Sequence, residues 1–158
     1  MNNHLHSTLQ SEAYPARGAS DQRESERHYR LLFENNPQPM WVFDSETQAF
    51  LEVNDAAIRQ YGYSRDEFLS MNLIDIRPAE DIPALIESFS QHTALRTESR
   101  APWRHKRKDG SVSEVELPWH SLEFAGRPAK LALLIDVTER KRAERALQES
   151  EERYQRLV

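Results

Sequence analysis

The residues able to do chemistry are few and do not form a catalytic pattern. His28, His92, His105 and His120 show no HExxH spacing, and no GxSxG, Walker-type loop or glycine-rich dinucleotide turn occurs. The absence of cysteine excludes disulfides, thiolate metal sites, thiol nucleophiles and cysteine-linked cofactors. Glu114 and Glu116 share one face of a strand-like run, a spacing that suits paired carboxylates, but their basic neighbours favour a solvated or salt-bridged face over acid–base catalysis. Arg104, Lys106, Arg107 and Lys108 form a basic cluster directly before Asp109-Gly110, a hairpin-turn signal, and read as a solvated strand end. With a formal net charge of −5 and 30 % charged residues, no nucleic-acid interface is expected. No metal site is expected either.

One group has the make-up of a small-molecule pocket. Trp41, Asn54, Tyr61, Tyr63, Met71, Trp103, His105 and Trp119 combine apolar walls with a few polar points. The same residues equally suit core and dimer-face packing, since large aromatics on strands are normally buried. Both readings stay open at the level of sequence.

These residues need elements to position them. Residues 1–21 are polar, without periodicity, and are expected to be a disordered lead-in. Residues 22–34 read as a short helix with Tyr29, Leu32 and Phe33 on one stripe, ended by Asn35-Asn36-Pro37. Met40–Phe43 and Ala49–Val53 read as a hairpin. Asn54 is placed to cap the helix that follows, Gly62 to end it, and Ser64-Arg65-Asp66-Glu67 is a capping box for another. Pro78 opens an amphipathic helix to about His92, carrying Ile82, Leu85, Ile86 and Phe89. Residues 100–108, 111–124 and 129–137 are three strand candidates, the last two alternating with period two. The sum is an α+β fold: a five-stranded antiparallel sheet with short helices on one face.

Beyond Val137, Ala143, Leu147, Ser150, Tyr154 and Leu157 are spaced 4, 3, 4 and 3 in a charged background, which reads as a coiled-coil seam over 139–158, with a helix packed on its own domain as the alternative. Its end, Glu149 to Val158, aligns without a gap on Glu24 to Phe33, so that Tyr154 stands 125 residues after Tyr29. A period of that length predicts one unit of a tandem array, with a second unit beginning at the C-terminus. No apolar run approaches the roughly 18–20 residues of a membrane span, and no signal peptide is evident, which predicts a cytoplasmic location for this segment.

Residues from about Tyr29 to Arg142 resemble a PAS domain of bacterial sensory proteins. The resemblance rests on Leu32-Phe-Glu-Asn-Asn-Pro37 with Met40-Trp-Val-Phe-Asp44, on Val53-Asn-Asp-Ala56 with Tyr61-Gly-Tyr-Ser64, on Arg104-His-Lys-Arg-Lys-Asp-Gly-Ser111, and on Asp136-Val-Thr-Glu-Arg-Lys141. It implies a PAS domain over 35–138, flanked by N- and C-terminal signalling helices, with a concave face where a small molecule would sit. It further implies a homodimer and an exit motif at Asp136, Val137 and Thr138 that couples the last strand to the signalling helix. Function by resemblance is a non-catalytic sensory and dimerisation module feeding a downstream output domain in the same chain. A sensor histidine kinase of a two-component system is the first expectation. A diguanylate cyclase or phosphodiesterase, and a free-standing ligand-binding adaptor, are the alternatives. The light-sensing branch of the family binds flavin through a reactive cysteine, which this chain lacks, so a flavin–cysteine adduct is excluded. Haem-binding relatives use an axial histidine on the long helix, where His92 stands at the end in a non-matching context, so haem is not expected and the cofactor is left unassigned.

Overall fold

Local cap and turn chemistry sets most of the element boundaries. The computed structural model describes residues 16–90 and 103–158, and the chain divides into two units, 1–32 and 33–158. The first, as described, is the body of α1 (Ala16–Glu34). This helix corrects the expected lead-in: it starts at Ala16 rather than residue 22, because Ala16, Arg17, Ala19 and Gln22 are helix formers that outweigh Gly18. Residues 1–15 of that lead-in lie outside the described residues.

In the second unit, β1 (Met40–Asp44) turns into β2 (Phe50–Val53). The Asp44 carboxylate accepts from the Glu46 and Thr47 amides at 2.8 and 3.0 Å, which holds its pKa below the usual carboxylate range. Asn54 caps α2 (Asp55–Tyr61), and Gly62 ends it in the left-handed region at φ 82°, where a side chain would be strained. The Ser64–Glu67 capping box starts α3 (Arg65–Leu69). Short 3-10 turns at Leu73–Ile76 and Ala79–Asp81 lead into α4 (Ile82–Ser90). Of its expected apolar stripe, Leu85 is buried while Ile86 is exposed. His92 lies outside the described residues.

Among the described residues seven strands replace the expected five. After β3 (Trp103–Lys106), the run 111–124 divides into β4 (Val112–Glu116) and β5 (Trp119–Phe124). The break is at Pro118, which has no amide hydrogen for a ladder; its carbonyl still accepts from the Leu133 amide at 2.9 Å. The facing run 129–137 divides into β6 (Arg127–Leu133) and β7 (Ile135–Asp136), where the Leu134 amide turns away to the Pro39 carbonyl at 2.9 Å. The break also shifts side-chain parity. Ala132 and Leu134 are buried, and so is Val137, which an unbroken alternation would point outward. The result is two antiparallel sheets, β2-β1-β6-β5 and β3-β4-β7. Since β4 leads into β5 and β6 into β7, they form the expected five paths of an α+β fold with two of the paths kinked.

The core lies between β1–β2 and the short helices. Trp41, with 0 % exposure, meets Phe50 and Tyr61 edge to face at centroid distances of 5.0 and 5.3 Å, and Phe68 closes the cluster against Phe50 at 5.2 Å. After Val137 the chain enters α5 (Thr138–Leu157), which buries none of its residues. Its seam is open: Leu147 is 62 % and Tyr154 71 % exposed. Among the described residues no helix is long and apolar enough to cross a membrane.

Candidate functional site

Three places concentrate polar chemistry, and the eight candidate pocket residues divide unequally among them. Trp41, Tyr61 and His105 come together in the interior. The Trp41 and His105 rings stack at 5.6 Å, and the Tyr61 hydroxyl lies 2.6 Å from His105 Nδ1. Burial pushes the Tyr61 pKa up and the His105 pKa well below its ordinary value, with the nearby Arg77 charge adding to the latter. Both groups are therefore neutral. The hydroxyl donates to Nδ1 and leaves the ring proton on Nε2, since the opposite arrangement would orphan the hydroxyl hydrogen as well. Nε2 has no partner among the described residues, nor does Trp41 Nε1. Both side chains are fully enclosed.

Asn54 is committed to the backbone. Its Oδ1 accepts from the Met40 and Ala57 amides, each at 3.0 Å, and its Nδ2 donates to the Phe33 and Gln38 carbonyls at 3.0 and 2.9 Å. Both lone pairs and both hydrogens are used, so nothing remains for a ligand. Tyr63 and Met71 pack half-buried on the edge of the core. Trp119 likewise packs partly buried against the core, with the Lys130 ammonium 4.1 Å from its ring centroid.

Trp103 belongs to a second place, a cleft of about 450 Å³ between α4, β3, β4 and α5. Arg77 stacks its guanidinium 4.8 Å above the Trp103 ring and is 4 % exposed. Burial pushes its pKa down to about 10, which still leaves it charged at neutral pH. On the walls, Arg104 holds Asp81 at 2.9 and 2.5 Å and Glu80 at 3.3 Å, while Arg145 grips Glu114 with both nitrogens at 2.6 and 2.8 Å. Arg77 is the residue that sequence reading passes over, because a lone arginine before Pro78 carries no local sign of burial.

The third place is the junction of β7 and α5. Asp136 Oδ1 accepts from the Thr138 amide at 2.9 Å and from its hydroxyl at 2.6 Å. Thr138 Oγ1 in turn accepts from the Glu114 amide at 2.9 Å, and Arg107 donates to Asp136 Oδ2 at 3.1 Å. Between them, Val137 is buried and gives its amide to the Glu114 carbonyl at 2.8 Å. Glu116 pairs with Arg140 and Glu114 with Arg145, so the two strand carboxylates are salt-bridged to α5. Three residues of the basic cluster are likewise paired: Arg104 with Asp81, Lys108 with Glu67 at 2.8 Å, and Arg107 with Asp136. Among the described residues no group of three potential ligands is placed to hold a metal.

Residues 27–137 match the sequence pattern described as the PAS fold. The chain is 25 % identical over 138 residues to a methyl sulfide methyltransferase-associated sensor of Methanosarcina acetivorans, covering 86 % of this chain and 14 % of that protein. It is 27 % identical over 139 residues to the diguanylate cyclase DgcM of Escherichia coli K12, covering 84 % and 32 %. The chain thus spans less than a third of the length of either relative. Solved structures similar to it include the PAS domain of an HTR-like protein from Haloarcula marismortui, with TM-score 0.59, 22 % identity and coverage of 77 % and 99 %. A PAS domain from a two-component sensor histidine kinase gives TM-score 0.56, 24 % identity and coverage of 73 % and 98 %.

Proposed function

The chain belongs to the PAS fold family, and on that premise we propose that it is the sensory input of a longer signalling protein, acting on an output domain through α5. The observation that carries this reading is the junction: one buried residue, Val137, separates β7 from α5, and Thr138 is bonded both to Asp136 and to the Glu114 amide of β4. A change in the β4–β7 pairing therefore reaches the first turn of α5 without slack, and tilts or rotates the helix. The exposed seam on α5 supports pairing with a second copy, in which the two helices would move together.

The output is a histidine kinase in the first reading, in keeping with the likeness to a PAS domain from a two-component sensor histidine kinase. The diguanylate cyclase relative supports a second reading, in which α5 leads to a cyclase. The 125-residue offset between Tyr29 and Tyr154 supports a tandem arrangement in either case. In the full-length protein, Asp136→Ala is expected to change the output at least fivefold, within the range of ordinary coupling energies. Phosphorylation from ATP and cyclic-di-GMP formation from GTP, measured side by side, separate the two readings. Wild-type output from a folded Asp136→Ala protein would remove the junction from the mechanism.

A further inference from the structure

We propose that the cleft between α4, β3 and α5 binds a small organic monocarboxylate, with Arg77 as its anchor. The inference starts from a charge that the described residues leave incompletely matched. Arg77 is 4 % exposed, its Nε has no acceptor among the described residues, and the acid whose charge reaches it, Asp81, is paired with Arg104. A buried cation is costly unless paired, and stacking on Trp103 offsets only part of that cost. The other two arginines on the walls do not share this state, since Arg104 is held by Asp81 and Arg145 by Glu114.

The surroundings select the anion. A guanidinium offers a planar fork that matches a carboxylate in bidentate fashion. Leu85 and the Trp103 ring supply an apolar wall for the rest of the molecule, and about 450 Å³ lies within the range of small-ligand sites. Glu80, Asp81 and Glu114 also line the cleft and repel a second negative charge, which favours a monocarboxylate over phosphate. The site is distinct from the enclosed interior around Trp41, Tyr61 and His105, and it does not depend on what α5 signals to.

The test is a titration of the purified 158-residue chain at constant ionic strength with benzoate, its neutral isostere benzamide, and inorganic phosphate. Tryptophan indole N–H resonances are followed by NMR, and the Trp103 signal is identified by its loss in Trp103→Phe. Benzoate is expected to shift that signal saturably, with benzamide and phosphate at least tenfold weaker. Arg77→Gln should weaken benzoate at least tenfold. If that variant fails to fold, Ala84→Glu, on the exposed part of the cleft wall, should weaken it severalfold by repulsion. No saturable response to benzoate, an equal response to benzamide, phosphate binding as tight as benzoate, or binding unchanged in the folded variants overturns the proposal.

Discussion

The two faces of the β3–β4 hairpin are held by opposite means. On the inner face His105 pairs in register with Ser113 and Trp103 with Val115, and His105, Ser113 and Val115 are buried. On the outer face Arg104 stands opposite Glu114, and Glu114 and Glu116 reach out to arginines of α5. The inner face is sealed by aromatic burial, worth several kcal/mol per large side chain. Ion pairs next to water gain little each and are screened by salt. The same two short strands thus separate what keeps the domain folded from what keeps the helix attached. A helix that buries nothing is the part that a modest stimulus can move.

That contrast is open to direct attack. The largest effect is expected from Trp41→Ala, which empties the centre of the inner cluster and should cost about 3–5 kcal/mol in denaturant unfolding. A loss under about 1 kcal/mol would mean that the inner face is not the main source of stability. Next comes pH. His105, enclosed with Tyr61 and Trp41 against it, has its folded pKa depressed by burial and, to a lesser degree, by the Arg77 charge. Above about pH 6.5 the folded and unfolded forms are both neutral and the full stability is present. Below that value the unfolded chain takes up a proton that the folded chain refuses. Stability should therefore fall by up to about 1.4 kcal/mol per pH unit on the way down to the folded pKa. His105→Gln should flatten this slope between about pH 6.5 and 5; an unchanged slope would assign it to other groups. The smallest effect on folding belongs to the outer face. Arg145→Ala should leave the unfolding midpoint nearly unchanged while α5 amides exchange faster, and raising salt to about 1 M should act in the same direction by shortening the screening length to about 3 Å. If Arg145→Ala instead lowers the midpoint as Trp41→Ala does, the division between the faces collapses.

How far the residues announced these features depends on the distance over which each is made. The Asn54 cap, the Gly62 stop and the Ser64–Glu67 box each act within four residues, and the sequence places all three correctly. The two long strands were visible as alternating runs, but the kinks were not, because Pro118 breaks its own strand and also disturbs the facing one at Leu134. In the candidate site the aromatic residues were recognisable by type, yet their division was not. Trp41, Tyr61 and His105 close on one another, Asn54 is spent on the backbone, and Trp103 turns to Arg77.

Composition and short-range pattern alone settled that this chain is an α+β domain without thiol chemistry and with a charged, seam-bearing helix at its end, since caps, turns and periodicities are properties of neighbouring residues. Tertiary structure decided which charges are buried and which side chains meet. Tyr61 reaches His105 across 44 positions and Arg145 reaches Glu114 across 31. The burial of Arg77 follows from elements that close over it. Desolvation depends on everything that surrounds a group, and a linear sequence does not show what surrounds Arg77 until the chain has folded.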